Sequence, residues 1–97
     1  MTKFCSRMFC YERAVWVEDA ATGSAAGCIA AHVAQCSAAA GGSGRVVASI
    51  EQGLAMGRRS VLLIDAEAAG AGGEWRVEVG GRVIPIAAGQ WAAPSSL

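Results

Sequence analysis

The stretch Val17-Glu18-Asp19-Ala20-Ala21-Thr22-Gly23-Ser24-Ala25-Ala26-Gly27 decides how this chain folds. An acidic pair closes a strand rich in β-branched and aromatic residues, Arg13 to Glu18. A Thr-Gly-Ser turn follows, and small apolar residues then run to about Ala40. Thr22 and Ser24 are both good helix N-caps, and Gly23 lets the backbone turn sharply between them. The reading is strand, turn, helix, with the helix over about Ser24 to Ala39. Asp19 then sits one turn ahead of a helix start, where free N–H groups and the positive dipole end favour anions. A carboxylate beside an anion cradle suits acid/base chemistry, although helix-start acids also serve as plain dipole partners.

Working outward, the helix carries apolar residues on nearly every side, which is the pattern of a buried helix. Gly27 within it points to close approach of another backbone. Upstream, Lys3 to Phe9 alternates loosely. Downstream, Arg45 to Ile50 reads as a strand, Glu51-Gln52-Gly53 closes it, and Leu54 to Gly57 is a short link. Ser60 to Asp65 is a continuous apolar run of strand length, expected to be buried on both faces. Trp75 to Val79 alternates, Gly80-Gly81 reads as a hairpin turn, and Val83 to Ala87 as the return strand, with Pro85 marking a sheet edge. Flexible connectors are expected at about 40–44 and 68–73, and a tail at 92–97, anchored if at all by Trp91 just ahead of it. The expected fold is α+β: a mostly antiparallel curled sheet, a partial barrel, around one central buried helix.

Composition bounds the rest. The 97 residues amount to one small domain, 1–97. Net charge is zero and only 16% of residues are charged, so no basic surface suggests nucleic acid. The 54% apolar content is largely alanine, and thirteen glycines raise the entropy cost of folding. A surface so poor in charge suggests cover by a partner chain. No secretion signal is visible, and the apolar run Ala25 to Ala40 is interrupted by His32, Gln35 and Ser37 and too short for a membrane span. A cytoplasmic protein is expected, its four cysteines (Cys5, Cys10, Cys28, Cys36) reduced and mostly buried.

Three further groups stand out in the sequence. Cys28, His32 and Cys36 form an i, i+4, i+8 stripe whose residue types suit zinc. A packed helix face explains them as well, and no fourth ligand is evident. Arg58-Arg59 reads as a solvated edge, and Trp16, Trp75 and Trp91 as core and interface anchors.

Four motifs, in order, carry a family resemblance: R-M-F (Arg7 to Phe9), E-D-x-x-T-G-S-A-A-G (Glu18 to Gly27), E-Q-G-x-x-M-G-R-x-S (Glu51 to Ser60) and V-G-G-R-V (Val79 to Val83). Over about Arg7 to Trp91 the chain resembles the C-terminal part of the phenazine-biosynthesis PhzF-like isomerases, related in fold to diaminopimelate epimerase. The resemblance implies a two-lobed enzyme with its site between two helix N-termini. A glutamate and a histidine from the other lobe would work with the aspartate of E-D-P-x-T-G-S, without cofactor or metal, to move a proton on a small carboxylate-bearing metabolite. Asp19 matches that acid/base or orienting carboxylate. Thr22, Gly23 and Ser24 match the substrate-binding turn, and Thr22 falls where epimerase relatives place a catalytic cysteine.

The departures bear on activity. The chain is about a third of a family-length enzyme, short of its usual two domains. Family prolines are replaced by Tyr11, Ala20 and Arg59, which loosens three turns. His32 lies about two turns into the helix, too far to share a substrate with Asp19, and Glu18 points to the opposite face of its strand. Two readings follow. The chain is an isomerase subunit, inactive alone and completed by a second chain carrying the other lobe, or it is a non-catalytic remnant that keeps the fold and self-associates, for example as a homodimer.

Overall fold

A computed structural model describes residues 1–70 and 73–95. Among the described residues, six strands, one α-helix and a short 3-10 turn at Leu54–Met56 form two layers and a hairpin. Strands β1 (Thr2–Ser6), β4 (Arg45–Gln52), β5 (Ser60–Glu67) and β6 (Arg76–Gly81) make one sheet in the order β1-β4-β5-β6. β2 (Met8–Glu12) and β3 (Val15–Asp19) pair only with each other. β1 runs parallel to β4, and the other sheet pairs are antiparallel. Parallel neighbours need a long crossover. Here the β2–β3 hairpin and helix α1 (Gly23–Ala39) supply it.

The helix starts at Gly23, one residue ahead of the expected Ser24, with Thr22 of the two candidate residues at the N-cap position, and its alanine-rich body favours the helical state. It packs on one face of the sheet through Ala26, Ala30 and Ala34, a stripe spaced four residues apart that meets Val46, Ala48, Ile50, Leu62, Ile64 and Ala66. Alanine at each contact lets helix and sheet approach closely. Ile50 and Ile64 are the largest fully buried side chains. The sheet does not close around the helix. Four strands cover one side of α1 and leave Cys28, His32 and Cys36 exposed, so the fold is an open α+β layer pair, where the sequence pointed to a partial barrel around a buried helix.

Other corrections follow from that single covered face. β5 alternates: Leu62, Ile64 and Ala66 are buried, while Val61 and Leu63 are exposed. The continuous apolar run S-V-L-L-I-D is therefore buried on one face only. Gly80 and Gly81 do not turn. They extend β6 opposite Leu63 and Leu62, and no strand returns over Val83 to Ala87. The chain continues instead as an arm without regular structure, with Val83, Ile84, Ile86 and Trp91 all exposed. Trp16, Trp75 and Trp91 are exposed rather than core residues. Cys5, Cys28 and Cys36 are exposed and Cys10 half-buried, against the expectation of buried thiols. Burial pushes the Cys10 thiol up, and the Glu12 carboxylate that it approaches at 3.7 Å adds to the shift.

The segment after α1, expected as a connector, is hydrogen-bonded. Gly42 N–H donates to the Ser37 carbonyl at 2.8 Å and Gly41 N–H to that of Ala38 at 3.1 Å. This is the paired Schellman arrangement, with Gly41 in the left-handed region that glycine tolerates. The connector read at 68–73 and the tail at 92–97 lie partly outside the described residues. Among the described residues, no helix is long and apolar enough to cross a membrane.

Candidate functional site

Asp19 ends β3 and Thr22 caps α1, so two intervening residues set their separation. Their side chains meet: Thr22 Oγ1 donates to Asp19 Oδ2 at 2.6 Å. This uses up the threonine hydroxyl's only proton, and no side chain caps the helix start. Thr22 supplies only its carbonyl, which accepts from Ala26 N–H at 3.1 Å. The first N–H groups of the helix, from Gly23 onward, have no intrahelical acceptor. A threonine that caps by backbone alone leaves those donors without its hydroxyl as acceptor and holds the Asp19 carboxylate at its own side chain.

A third residue completes the arrangement. Gln52, at the end of β4 and 2% exposed, donates through Nε2 to the Asp19 carbonyl at 2.9 Å and to Thr22 Oγ1 at 2.9 Å. Its Oε1 accepts from Ser6 Oγ at 3.4 Å. One buried amide thus ties the ends of β1, β3 and β4 to the start of α1. Sequence reading placed Gln52 only as a strand terminator. Its signal was the E-Q-G motif, whose members prove to have three separate tasks. Glu51 accepts from Arg59 at 2.6 Å, an ion pair that holds the Glu51 carboxyl below its ordinary range. Gln52 pins Asp19 and Thr22. Gly53 has φ +81°, and a Cβ there would lie 2.1 Å from the Arg58 carbonyl oxygen and 3.0 Å from that of Ala20. The chain after β4 thus runs directly beneath the Asp19 turn, and only glycine fits.

Glu18 and Asp19 face opposite ways, as strand alternation requires. Arg7 donates two hydrogen bonds to Glu18, at 3.2 and 2.9 Å, and keeps that carboxyl below its usual range. Glu18 is thus committed to an ion pair on the far face, and Asp19 to the helix start. Arg7 also lies over the Phe9 ring, 4.9 Å from its centroid.

An open depression of about 730 Å³ lies against the helix start. Gly23 lines it together with Ala21, Arg59, Ser60, Gly81 and Arg82, while Asp19, Thr22 and Ser24 do not. Ser24 is exposed on the first turn of α1. Of the four residues singled out by sequence, then, Asp19 and Thr22 form one bonded pair, Gly23 opens to the depression, and Ser24 faces solvent beside it. His32 is remote from this group and contacts Cys36, with Nε2 3.6 Å from Sγ. Among the described residues, no three metal-ligating side chains converge.

What these features define is an open α+β unit that presents a fixed carboxylate and uncapped N–H groups at one helix start. The chain belongs to the phenazine biosynthesis-like protein family (PhzC-PhzF), whose model matches residues 1–89. No curated protein and no solved structure matches it.

Proposed function

We propose that this chain forms the Asp19-bearing half of a composite site in a PhzF-like, cofactor-independent isomerase, and that its helix–sheet body is part of a diaminopimelate epimerase-like lobe. The observation that carries the reading is the Thr22 hydroxyl. It holds Asp19 rather than capping the helix, so a carboxylate and free N–H donors lie side by side. The substrate class is a small carboxylate-bearing metabolite. Its carboxylate accepts from the N–H groups that begin at Gly23, with positive charge from Arg82 on the same depression, where Arg59 is already paired with Glu51. Asp19 exchanges a proton with substrate carbon, and an acid/base group of the other lobe completes the transfer, so that a proton leaves one position and is returned at another with no net redox change.

The test uses the assembly purified from source cells with every chain it contains. Incubated in D2O with a panel of small amino and keto acids, it should place deuterium at carbon. Asp19→Asn should cut that rate by about 100-fold or more while the native mass of the assembly stays unchanged. Full activity in the variant would remove Asp19 from the chemistry. The second reading, a non-catalytic module of the same family, draws support from the apolar surface left open on the hairpin and arm. It predicts no exchange above buffer in either protein.

A further inference from the structure

Helix α1 turns one face to the sheet through Ala26, Ala30 and Ala34. Cys28, His32 and Cys36 each follow one of these by two residues, about 200° round the helix axis. They therefore lie on the opposite face, and all three are exposed. Core packing does not account for them. Two of the three are in contact: His32 Nε2 lies 3.6 Å from Cys36 Sγ. The pair stands on consecutive turns of one helix, four residues apart, so the backbone fixes its spacing. Cys28, at the same spacing on the other side of His32, does not join them in a three-ligand group.

We infer that His32 and Cys36 form a two-ligand chelate for Zn2+. The argument begins with the bite. Zinc takes thiolate sulfur at about 2.3 Å and imidazole nitrogen at about 2.0–2.1 Å, in tetrahedral geometry. Two such bonds at the tetrahedral angle set sulfur and nitrogen about 3.5–3.6 Å apart. His32 and Cys36 already stand at that separation, so binding requires no change in the distance between them. The residue types select the metal, because thiolate with imidazole suits zinc and not the oxygen-seeking Ca2+ or Mg2+. The surroundings agree. From Gly23 to Ala39 the helix carries no lysine, arginine, aspartate or glutamate, so no charge on it repels the cation or competes for it. Cys36 also lies in the last turn, where the negative end of the helix dipole favours cations and no basic side chain answers it. On binding, the Cys36 thiol gives its proton to solvent and its sulfur electron pair to zinc. His32 gives the Nε2 lone pair while Nδ1 keeps its proton. Water takes the other two positions. This inference is independent of the Asp19 reading.

The test uses the full chain with Cys5, Cys10 and Cys28 changed to serine, so that Cys36 is the single thiol, kept reduced by a reagent that is not itself a thiol. None of these three cysteines belongs to the buried core, and far-ultraviolet circular dichroism checks each variant for folding. Co2+ is the coloured probe. A sulfur-to-cobalt charge-transfer band should saturate at one ion per chain and disappear when Zn2+ is added. Zn2+ affinity, measured against a chromophoric chelator, should fall about tenfold or more in Cys36→Ser and equally in His32→Ala, since losing even an outer-shell partner of a metal site costs about 10–100-fold. Both positions are exposed, so neither change removes core packing. Unchanged affinity in His32→Ala would mean that the thiol acts alone, and saturation at one ion per two chains would mean a site shared between chains. Either result, or Zn2+ binding no tighter than that of Cys36→Ser, would overturn the proposal.

Discussion

The helix–sheet body and the β2–β3 hairpin use similar residues to opposite effect. In the body, alternation along β4 and β5 sends Ala48, Ile50, Ile64 and Ala66 against the alanine stripe of α1, and all four are at most 2% exposed. In the hairpin the apolar residues are larger, and the cross-strand pair Tyr11–Trp16 stacks at 5.3 Å between ring centroids. Yet Trp16 is 69% exposed and Tyr11 61%, because none of the described residues lies over that face. The arm after β6 behaves like the hairpin. Accordingly, the Cα radius of gyration is 16.8 Å, against about 13 Å for a compact domain of 100 residues. Local pairing orders the hairpin except at its Asp19 end, which Gln52 ties to β4, whereas long-range burial orders the body. The two should therefore differ in how they respond to mutation.

Gly53→Ala should break the body most severely. The methyl would overlap the Arg58 carbonyl in a left-handed backbone position, at a combined cost of about 3 kcal/mol or more. For a domain with a small core that approaches the whole stability. Urea denaturation of the variant should show a midpoint near zero or no transition. A midpoint within experimental error of wild type would mean that the close approach of Gly53 to the Asp19 turn is misplaced.

Gln52→Ala comes next. It removes the donor from the Asp19 carbonyl and from the buried Thr22 hydroxyl, and stranded buried acceptors cost about 1–3 kcal/mol. The expected loss is about 2 kcal/mol, with m-value unchanged because the exposed surface on unfolding is the same. A loss under about 0.5 kcal/mol would show that solvent satisfies the Asp19 turn without Gln52.

How much of this was legible follows the same division. The helix was readable because its signals are local: Thr22 ahead of an alanine run, and Gly41 behind it. β4 and β5 were readable from their β-branched residues. Gln52 was not, because its partners lie 30 and 33 residues away and a strand-ending glutamine has no local signature. The hairpin turn was hidden for a different reason. Arg13 and Ala14 both have positive φ, 49° and 63°, as a two-residue type I′ turn requires, but neither is the asparagine or glycine that normally marks one. Conversely Gly80-Gly81 looks like such a turn and is strand, since pairing with Leu62 and Leu63 outweighs local preference. Asp19 and Thr22 were each legible as residues of the turn, but not as a bonded pair. Nor was it legible that the threonine gives its proton to Asp19 and leaves the helix uncapped.

The sharpest contrast comes from two opposite exchanges that should each stabilise. In the body, Gly27 sits mid-helix with negative φ, and a Cβ there would make ordinary contact, 3.7 Å, with Val77 and Val79 methyls. The close backbone approach expected from sequence is absent, so Gly27→Ala removes glycine's entropy cost and should add about 0.5–1 kcal/mol. In the hairpin, Ala14 holds a left-handed conformation that costs a non-glycine residue about 1–2 kcal/mol. Ala14→Gly relieves most of it, offset in part by the greater freedom of glycine in the unfolded chain. The readouts must differ if the two regions are ordered separately. Gly27→Ala should raise the denaturation midpoint and slow amide exchange throughout β4 and β5. Ala14→Gly should slow exchange only within Met8–Glu12 and Val15–Asp19, and leave the global midpoint nearly unmoved. A rise in the global midpoint from Ala14→Gly equal to that from Gly27→Ala would show that hairpin and body unfold as one unit, coupled through Asp19 and Gln52 rather than merely joined there.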